Sequence, residues 1–171
     1  MKRTLAFLMA AAALTSCSSG EDALTRGDRL WADSAYSQSI AEYQLAYARG
    51  GDHEALRRLA HAWAVTGAFE NAHEAYATLL AEDASVIDQA AYDYILLAEQ
   101  AQARGDGYGV ARAAEAALAL RPGLELTGLT DQLASFYEQT ASPEQAIAWY
   151  ERAIANAPAD SAPPLLFRLG D

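Results

Sequence analysis

Few side chains in this sequence could do chemistry, and their spacing argues against most of it. Three histidines, His53, His61 and His73, lie close together. None is paired at the i, i+4 spacing that sets two imidazoles on one helix face for zinc. Glu70 and His73 form one Glu-x-x-His unit. A di-iron bundle needs two such units and two further glutamates, and the sequence holds no second copy. The histidines are therefore expected to be solvated residues of helix faces, with no metal and no cofactor. Cys17 is the single cysteine, so no intramolecular disulfide can form. There is no Gly-x-Ser-x-Gly elbow and no Walker-type loop. Gly105-Asp106-Gly107-Tyr108-Gly109 is glycine-rich but follows a helical stretch rather than a strand. It is expected to relieve φ strain at a turn, not to cradle a phosphate. Carboxylates remain, Asp28, Glu99, Asp131 and Glu138 among them. An aligned pair can hydrolyse glycosidic bonds, but solvated carboxylates on helix faces are ordinary. No catalytic residue is assigned.

The charge balance narrows the partners. The chain has 171 residues, enough for one domain, and a net charge of −11. Phosphate repels such a chain, so nucleic acid is not an expected partner. Hydrophobic residues make up 52% and charged residues 20%, a globular balance. Much of the apolar share is alanine, a strong helix former. Lys2 is the only lysine.

The first residues are read apart from the fold. Met1-Lys2-Arg3 is a short basic start, and Leu5 to Leu14 is an unbroken apolar run. Ten residues fall well short of the roughly 20 that a spanning helix needs. A basic start followed by a short apolar core has the architecture of a secretory signal. Leu14-Thr15-Ser16-Cys17 follows and resembles the bacterial lipobox, in which the cysteine is lipidated and becomes the mature N-terminus. The resemblance implies a signal peptide over 1–16, a lipidated tether over 17–20 and Cys17 as the attachment to a lipid bilayer. It also leaves no thiol free to act as a nucleophile. Ser18, where an aspartate would favour inner-membrane retention, points to the outer membrane facing the periplasm in a Gram-negative host.

From Glu21 onward, helical stretches alternate with Gly, Asp or Pro breaks, and none alternates like a strand. The pattern predicts eight helices in four pairs, over 21–34, 36–49, 52–66, 69–82, 86–104, 107–120, 126–140 and 143–156. The last is the clearest. Ser142 and Pro143 suit its start, Gln145 can complete a capping box and Pro158 stops it. Its apolar residues recur at Ala146, Ile147, Tyr150, Ala153 and Ile154. Ser85, with Asp88 three residues on, is expected to cap the fifth helix.

The pairs fall into register. The fourth gives Leu133, Ala134, Tyr137, Ala146, Tyr150, Ala153 and Pro158. The second gives Leu59, Ala60, Trp63, Ala72 and Tyr76, and departs at Leu79 and Ala84. The third gives Leu97, Ala98, Ala101, Val110, Ala114, Ala117 and Pro122, and the first, the weakest match, Arg26, Gly27, Leu30, Ser39, Tyr43, Ala46 and Gly51. This order resembles the tetratricopeptide (TPR) pattern, whose period is 34 residues. The position where that pattern takes glycine is small in every pair: Gly27, Ala60, Ala98 and Ala134. A bulky residue there would hold the two helices apart. The resemblance implies an all-α, TPR-like helix-hairpin solenoid of about four repeats, a right-handed superhelix over 21–158. Residues 159–171 are read as a C-terminal cap, with a partner-binding tail as the alternative.

Stacked hairpins leave a concave face lined by their first helices. In this register that face holds Asp28 and Trp31, then Arg57 and His61, then Tyr92, Ile95 and Glu99, then Asp131 and Glu138. Acidic side chains outnumber the arginine and apolar ones sit between them. The expected function is a non-catalytic, membrane-anchored protein-interaction scaffold of the bacterial cell envelope. Its partner would be a protein or peptide segment with basic and apolar residues. The alternative is an accessory or enzyme acting on cell-wall glycans through acidic groove residues.

Overall fold

In the computed structural model, residues 20–126, 128–140 and 142–156 are described. They form eight helices: α1 (Gly20–Ala32), α2 (Tyr36–Gly50), α3 (His53–Val65), α4 (Phe69–Glu82), α5 (Ile87–Ala103), α6 (Gly107–Leu120), α7 (Thr130–Gln139) and α8 (Pro143–Asn156). The signal peptide, residues 17–19 of the tether and the C-terminal stretch expected from the sequence lie outside the described residues, and Gly20, expected to end the tether, opens α1. Among the described residues no helix is long and apolar enough to cross a membrane.

The four hairpins are built alike. Each joins its two helices through a three-residue turn, at 33–35, 66–68, 104–106 and 140–142. In each turn an amide reaches back across the end of the first helix: Ala35 to Leu30, Ala68 to Trp63, Asp106 to Ala101 and Ser142 to Tyr137, at 2.8–3.0 Å. This bond closes a Schellman-type cap, which needs a left-handed residue just before the donor. Ser34, Gly67 and Gly105 supply it, with φ of 58°, 78° and 71°. The second helix then opens with the same bond each time, from Ser39, Ala72, Val110 and Ala146 back to Ala35, Ala68, Asp106 and Ser142. Those four donors are all buried. The fold is therefore an all-α, TPR-like array of hairpins in one register.

The small position works as the spacing predicts. Gly27, Ala60, Ala98 and Ala134 are buried where the two helices of a hairpin cross. A Cβ on Gly27 would come within 2.5 Å of the Tyr43 ring. The Ser39 hydroxyl donates to the Gly27 carbonyl at 2.9 Å, so the closest approach also satisfies a buried polar group. Tyr43, Tyr76, Ala114 and Tyr150 fill the equivalent site on the second helices and are buried. One apolar core runs from Tyr43 to Ala153 through all four hairpins. A smaller cluster of Ala23, Ala46 and Ala55 lies where the first hairpin meets α3.

Three details depart from the sequence reading. Helix α7 begins at Thr130, not near 126. Leu126 and Leu129 precede it as buried anchors of the connecting loop, and Gly128 takes a φ of 81° that a helix would not allow. Ser85 does not cap α5. Its amide and hydroxyl both donate to Asp83, which caps the short 3-10 turn Ala84–Val86 ahead of α5. On α8 the core takes Trp149, while Ile147 stays 47% exposed. Asp106 caps α6 by accepting from the Gly109 amide at 2.9 Å. A side-chain carboxylate already fills the anion position at that helix start, so the glycine-rich stretch is a capped turn.

Candidate functional site

The first helices carry the face of interest, and α5 shows how it is built. Asp93 and Gln100 point from α5 toward α3, where Gln100 Nε2 donates to the carbonyls of Ala64 and Val65 at 3.3 and 3.2 Å. On the opposite flank Gln102 donates to the Gly128 carbonyl at 3.0 Å. Tyr94, Leu97 and Ala101 are buried in the core. The arc left open holds Tyr92, Ile95 and Glu99, three of the expected groove residues. Tyr92 is 64% exposed, Ile95 is half-buried and Glu99 is exposed.

Trp31 and His61 are brought together. The Trp31 ring lies 5.5 Å from the His61 imidazole and 4.8 Å from the Tyr36 ring, linking α1 to α3. Arg58 strengthens that junction with an ion pair to Asp28 at 3.1 Å. Arg57 pairs with Glu54 on its own helix.

The histidines do not all behave as solvated face residues. Nδ1 of His61 donates to the carboxylate of Asp93, 2.9 and 3.0 Å from its two oxygens. Asp93 is fully buried and also accepts the hydroxyl of Tyr76 from α4. The bond to Asp93 raises the pKa of His61 against the opposing effect of its own partial burial. Burial first, then the neighbouring Asp93 charge, pushes the Tyr76 phenol well above its ordinary value. His73 Nδ1 is 2.8 Å from the Tyr94 hydroxyl, and burial pushes that phenol up to about 12. His53 and His73 are both exposed, and His53 pairs with Glu82 at 3.1 Å. The three imidazoles thus serve three separate contacts and converge on no common centre.

Two of the expected groove carboxylates are tied to core tyrosines. Asp28 accepts from the Tyr43 hydroxyl and Glu138 from the Tyr150 hydroxyl, each at 2.8 Å. Burial, and the bond to Asp28 with it, raises the Tyr43 pKa. Both acids therefore close their own hairpin. Glu99 and Asp131 are exposed and have no ion-pair partner among the described residues.

Comparison with solved structures adds a resemblance. The chain is similar to a solved thermophilic TPR protein of Thermus thermophilus, at 20% identity and a TM-score of 0.37, over 89% of this chain and 97% of that one. No family model and no curated protein matches the sequence.

Sequence reasoning missed Asp93. It stands between Tyr92 on the open face and Tyr94, which is buried in the core, on the flank facing the preceding hairpin. A carboxylate at an inter-hairpin contact has to find a partner. His61, one hairpin upstream, was the available one.

Proposed function

We propose that this chain is a non-catalytic, membrane-anchored scaffold of a bacterial cell envelope, holding a protein segment against the open face of its first helices. The observation that carries the reading is the side chain of Tyr92. It is 64% exposed on the open arc of α5, beside half-buried Ile95. Large amphipathic rings of this kind serve as anchors in protein interfaces. Glu99 and Asp131 bring unpaired negative charge to the same set of first helices, which favours a segment with basic and apolar residues. A partner ending in an acidic tail, or a nucleic acid, meets the wrong sign of charge.

The anchor rests on the sequence alone. Leu14-Thr15-Ser16-Cys17 follows a short apolar core, and lipid on Cys17 would hold the array at a membrane. One acyl chain gives only marginal attachment and stable anchoring takes two or more signals. Ser18 supports the outer membrane, facing the periplasm, in a Gram-negative host. The reading is tested by crosslinking in intact cells, solubilising the membrane and identifying what the full-length chain captures. A captured protein lost with Trp31→Ala and Tyr92→Ala, and retained with Gln139→Ala, supports it. Capture that ignores all three substitutions places the binding surface elsewhere. For the anchor, Cys17→Ser should leave the precursor uncleaved or move the protein out of the membrane fraction. Unchanged processing and fractionation would refute it.

A further inference from the structure

Successive second helices flank a cleft that has the intervening first helix at its floor. Between α4 and α6 the cleft holds about 120 Å³ and is lined by Leu97 and Ala101 of α5 and by Arg112 of α6. The Arg112 guanidinium lies 4.3 Å from the centre of the Phe69 ring and 5.5 Å from that of Tyr108, and it pairs with Glu70 at 2.6 Å. On α8, Arg152 lies 5.8 Å from the centre of the Trp149 ring and donates to the carbonyls of Pro122 and Leu124. In both places the chain lays its own guanidinium on an aromatic face. The cleft between α2 and α4 holds about 240 Å³ and is lined by Tyr47 of α2, by Leu56, Leu59 and Trp63 of α3, and by Glu74 and Thr78 of α4. Counted from the buried first donor of each second helix, Glu74 stands where α6 has Arg112, and Thr78 where α8 has Arg152. Aromatic rings line this cleft too, but a carboxylate and a hydroxyl replace the cations. Among the described residues no arginine stacks on Tyr47 or Trp63, and Glu74 is exposed with no ion-pair partner.

We propose that the cleft between α2 and α4 takes an arginine side chain from a partner protein. The guanidinium lies against the Trp63 and Tyr47 rings and pairs with Glu74, and its stem covers buried Leu56 and Leu59. A cavity of about 150 Å³ already holds benzene, so the space admits a guanidinium with part of its stem. A planar, weakly hydrated guanidinium suits an aromatic-lined cleft better than a compact, strongly hydrated ammonium. The contact extends the scaffold reading to a second face, and a chain that failed to bind through Tyr92 would still bind here.

The test follows the Trp63 indole N–H by NMR in the full-length chain, isotopically labelled at tryptophan and held in a nonionic detergent. Trp63→Phe assigns the resonance. N-acetylarginine amide should shift it, with half-saturation on the order of millimolar. N-acetylcitrulline amide keeps the stem and shape without the charge, and should not shift it at the same concentration. Methylguanidinium lacks the stem and should bind about fivefold more weakly. N-acetyllysine amide should also bind more weakly than the arginine derivative. Glu74→Gln should weaken arginine binding about fivefold, as for the loss of an exposed ion pair. Glu74→Arg puts the chain's own guanidinium where α6 has one, and should abolish the shift. Glu74 is exposed, so the fold tolerates both changes, and circular dichroism checks this. No shift, or a response confined to Trp31 or Trp149, would overturn the proposal. So would equal binding of the lysine derivative or of methylguanidinium, or undiminished binding by Glu74→Arg.

Discussion

Nδ1 of His61 sits 2.9 Å from one carboxylate oxygen of Asp93 and 3.0 Å from the other, bridging α3 and α5. The geometry couples the second hairpin to the third through a charge that is wholly buried on one side and half-open on the other. Removing one partner of a buried pair strands the other, which commonly costs about 3 kcal/mol or more. His61→Ala should approach that figure in urea denaturation, since only the Tyr76 hydroxyl then remains on Asp93. Asp93→Asn keeps the shape and removes the charge, and should cost less. A smaller loss for His61→Ala than for Asp93→Asn would mean that the imidazole does not compensate the buried carboxylate.

The same contact makes stability depend on pH. The folded pKa of His61 lies above its ordinary 6.5 because of the hydrogen bond to Asp93. The folded state therefore binds the proton more tightly than the unfolded chain does. Its contribution is fully present below the unfolded value and is lost as pH rises through the raised folded value. The difference in unfolding free energy between the native sequence and His61→Gln should shrink from pH 6 toward pH 9. Taking the difference against the variant cancels contributions common to both chains. A gap that widens with pH would reverse the assignment.

Packing at the small position can be separated from helix propensity. Gly27→Ala would improve propensity, but the new methyl meets the Tyr43 ring at 2.5 Å. Overpacking of this kind costs roughly 1–3 kcal/mol. At Gly50, also helical, an added Cβ meets nothing within 4 Å. Gly50→Ala should therefore stabilise by about 0.5–1 kcal/mol. Ala98→Leu and Ala134→Leu, both at fully buried positions, should resemble Gly27→Ala. Gln139→Ala, on an exposed site, should stay within about 0.5 kcal/mol of neutral. Thermal melts that ranked Gly50→Ala below Gly27→Ala would break the register.

Most of the fold was legible because its constraint is local and repeated. A small residue at Gly27, Ala60, Ala98 and Ala134, with a large or apolar one on the facing helix, is a spacing rule that a linear sequence displays. The three-residue turns were legible at Gly67 and Gly105, where glycine marks the left-handed residue. At Ser34 nothing marks it, and the first helix was extended to the turn. The start of α7 was hidden because Leu126 and Leu129 are apolar at helical spacing yet serve the loop. The site was harder to read. Whether His61 is solvated or clamped depends on which residue of α5 lies opposite, and that is fixed by how hairpins stack. Asp28 and Glu138 illustrate the same limit. Their place on the open face follows from register, but their bonds to Tyr43 and Tyr150 follow from a contact between helices.

The open face yields the last prediction. Trp31 is half-buried against Tyr36 and His61, whereas Tyr92 is 64% exposed with Glu99 two turns along the same arc. A partner segment lying across α1, α3 and α5 would bury the Tyr92 ring anew but only complete the burial of Trp31. Tyr92→Ala should weaken binding of a captured partner by about 2 kcal/mol, as loss of an interfacial anchor does. It should leave the melting temperature within a degree or two of native, because the ring holds no buried contact. Trp31→Ala should weaken binding by a similar amount and also lower stability, since it removes packing at the α1–α3 junction. Glu99→Gln should act on the rate of association and its salt dependence, leaving dissociation nearly unchanged, as expected of a rim charge. Surface plasmon resonance at two salt concentrations separates these effects. Undiminished affinity in the Trp31→Ala, Tyr92→Ala double variant, with its helical content intact, would move the binding surface off the first helices.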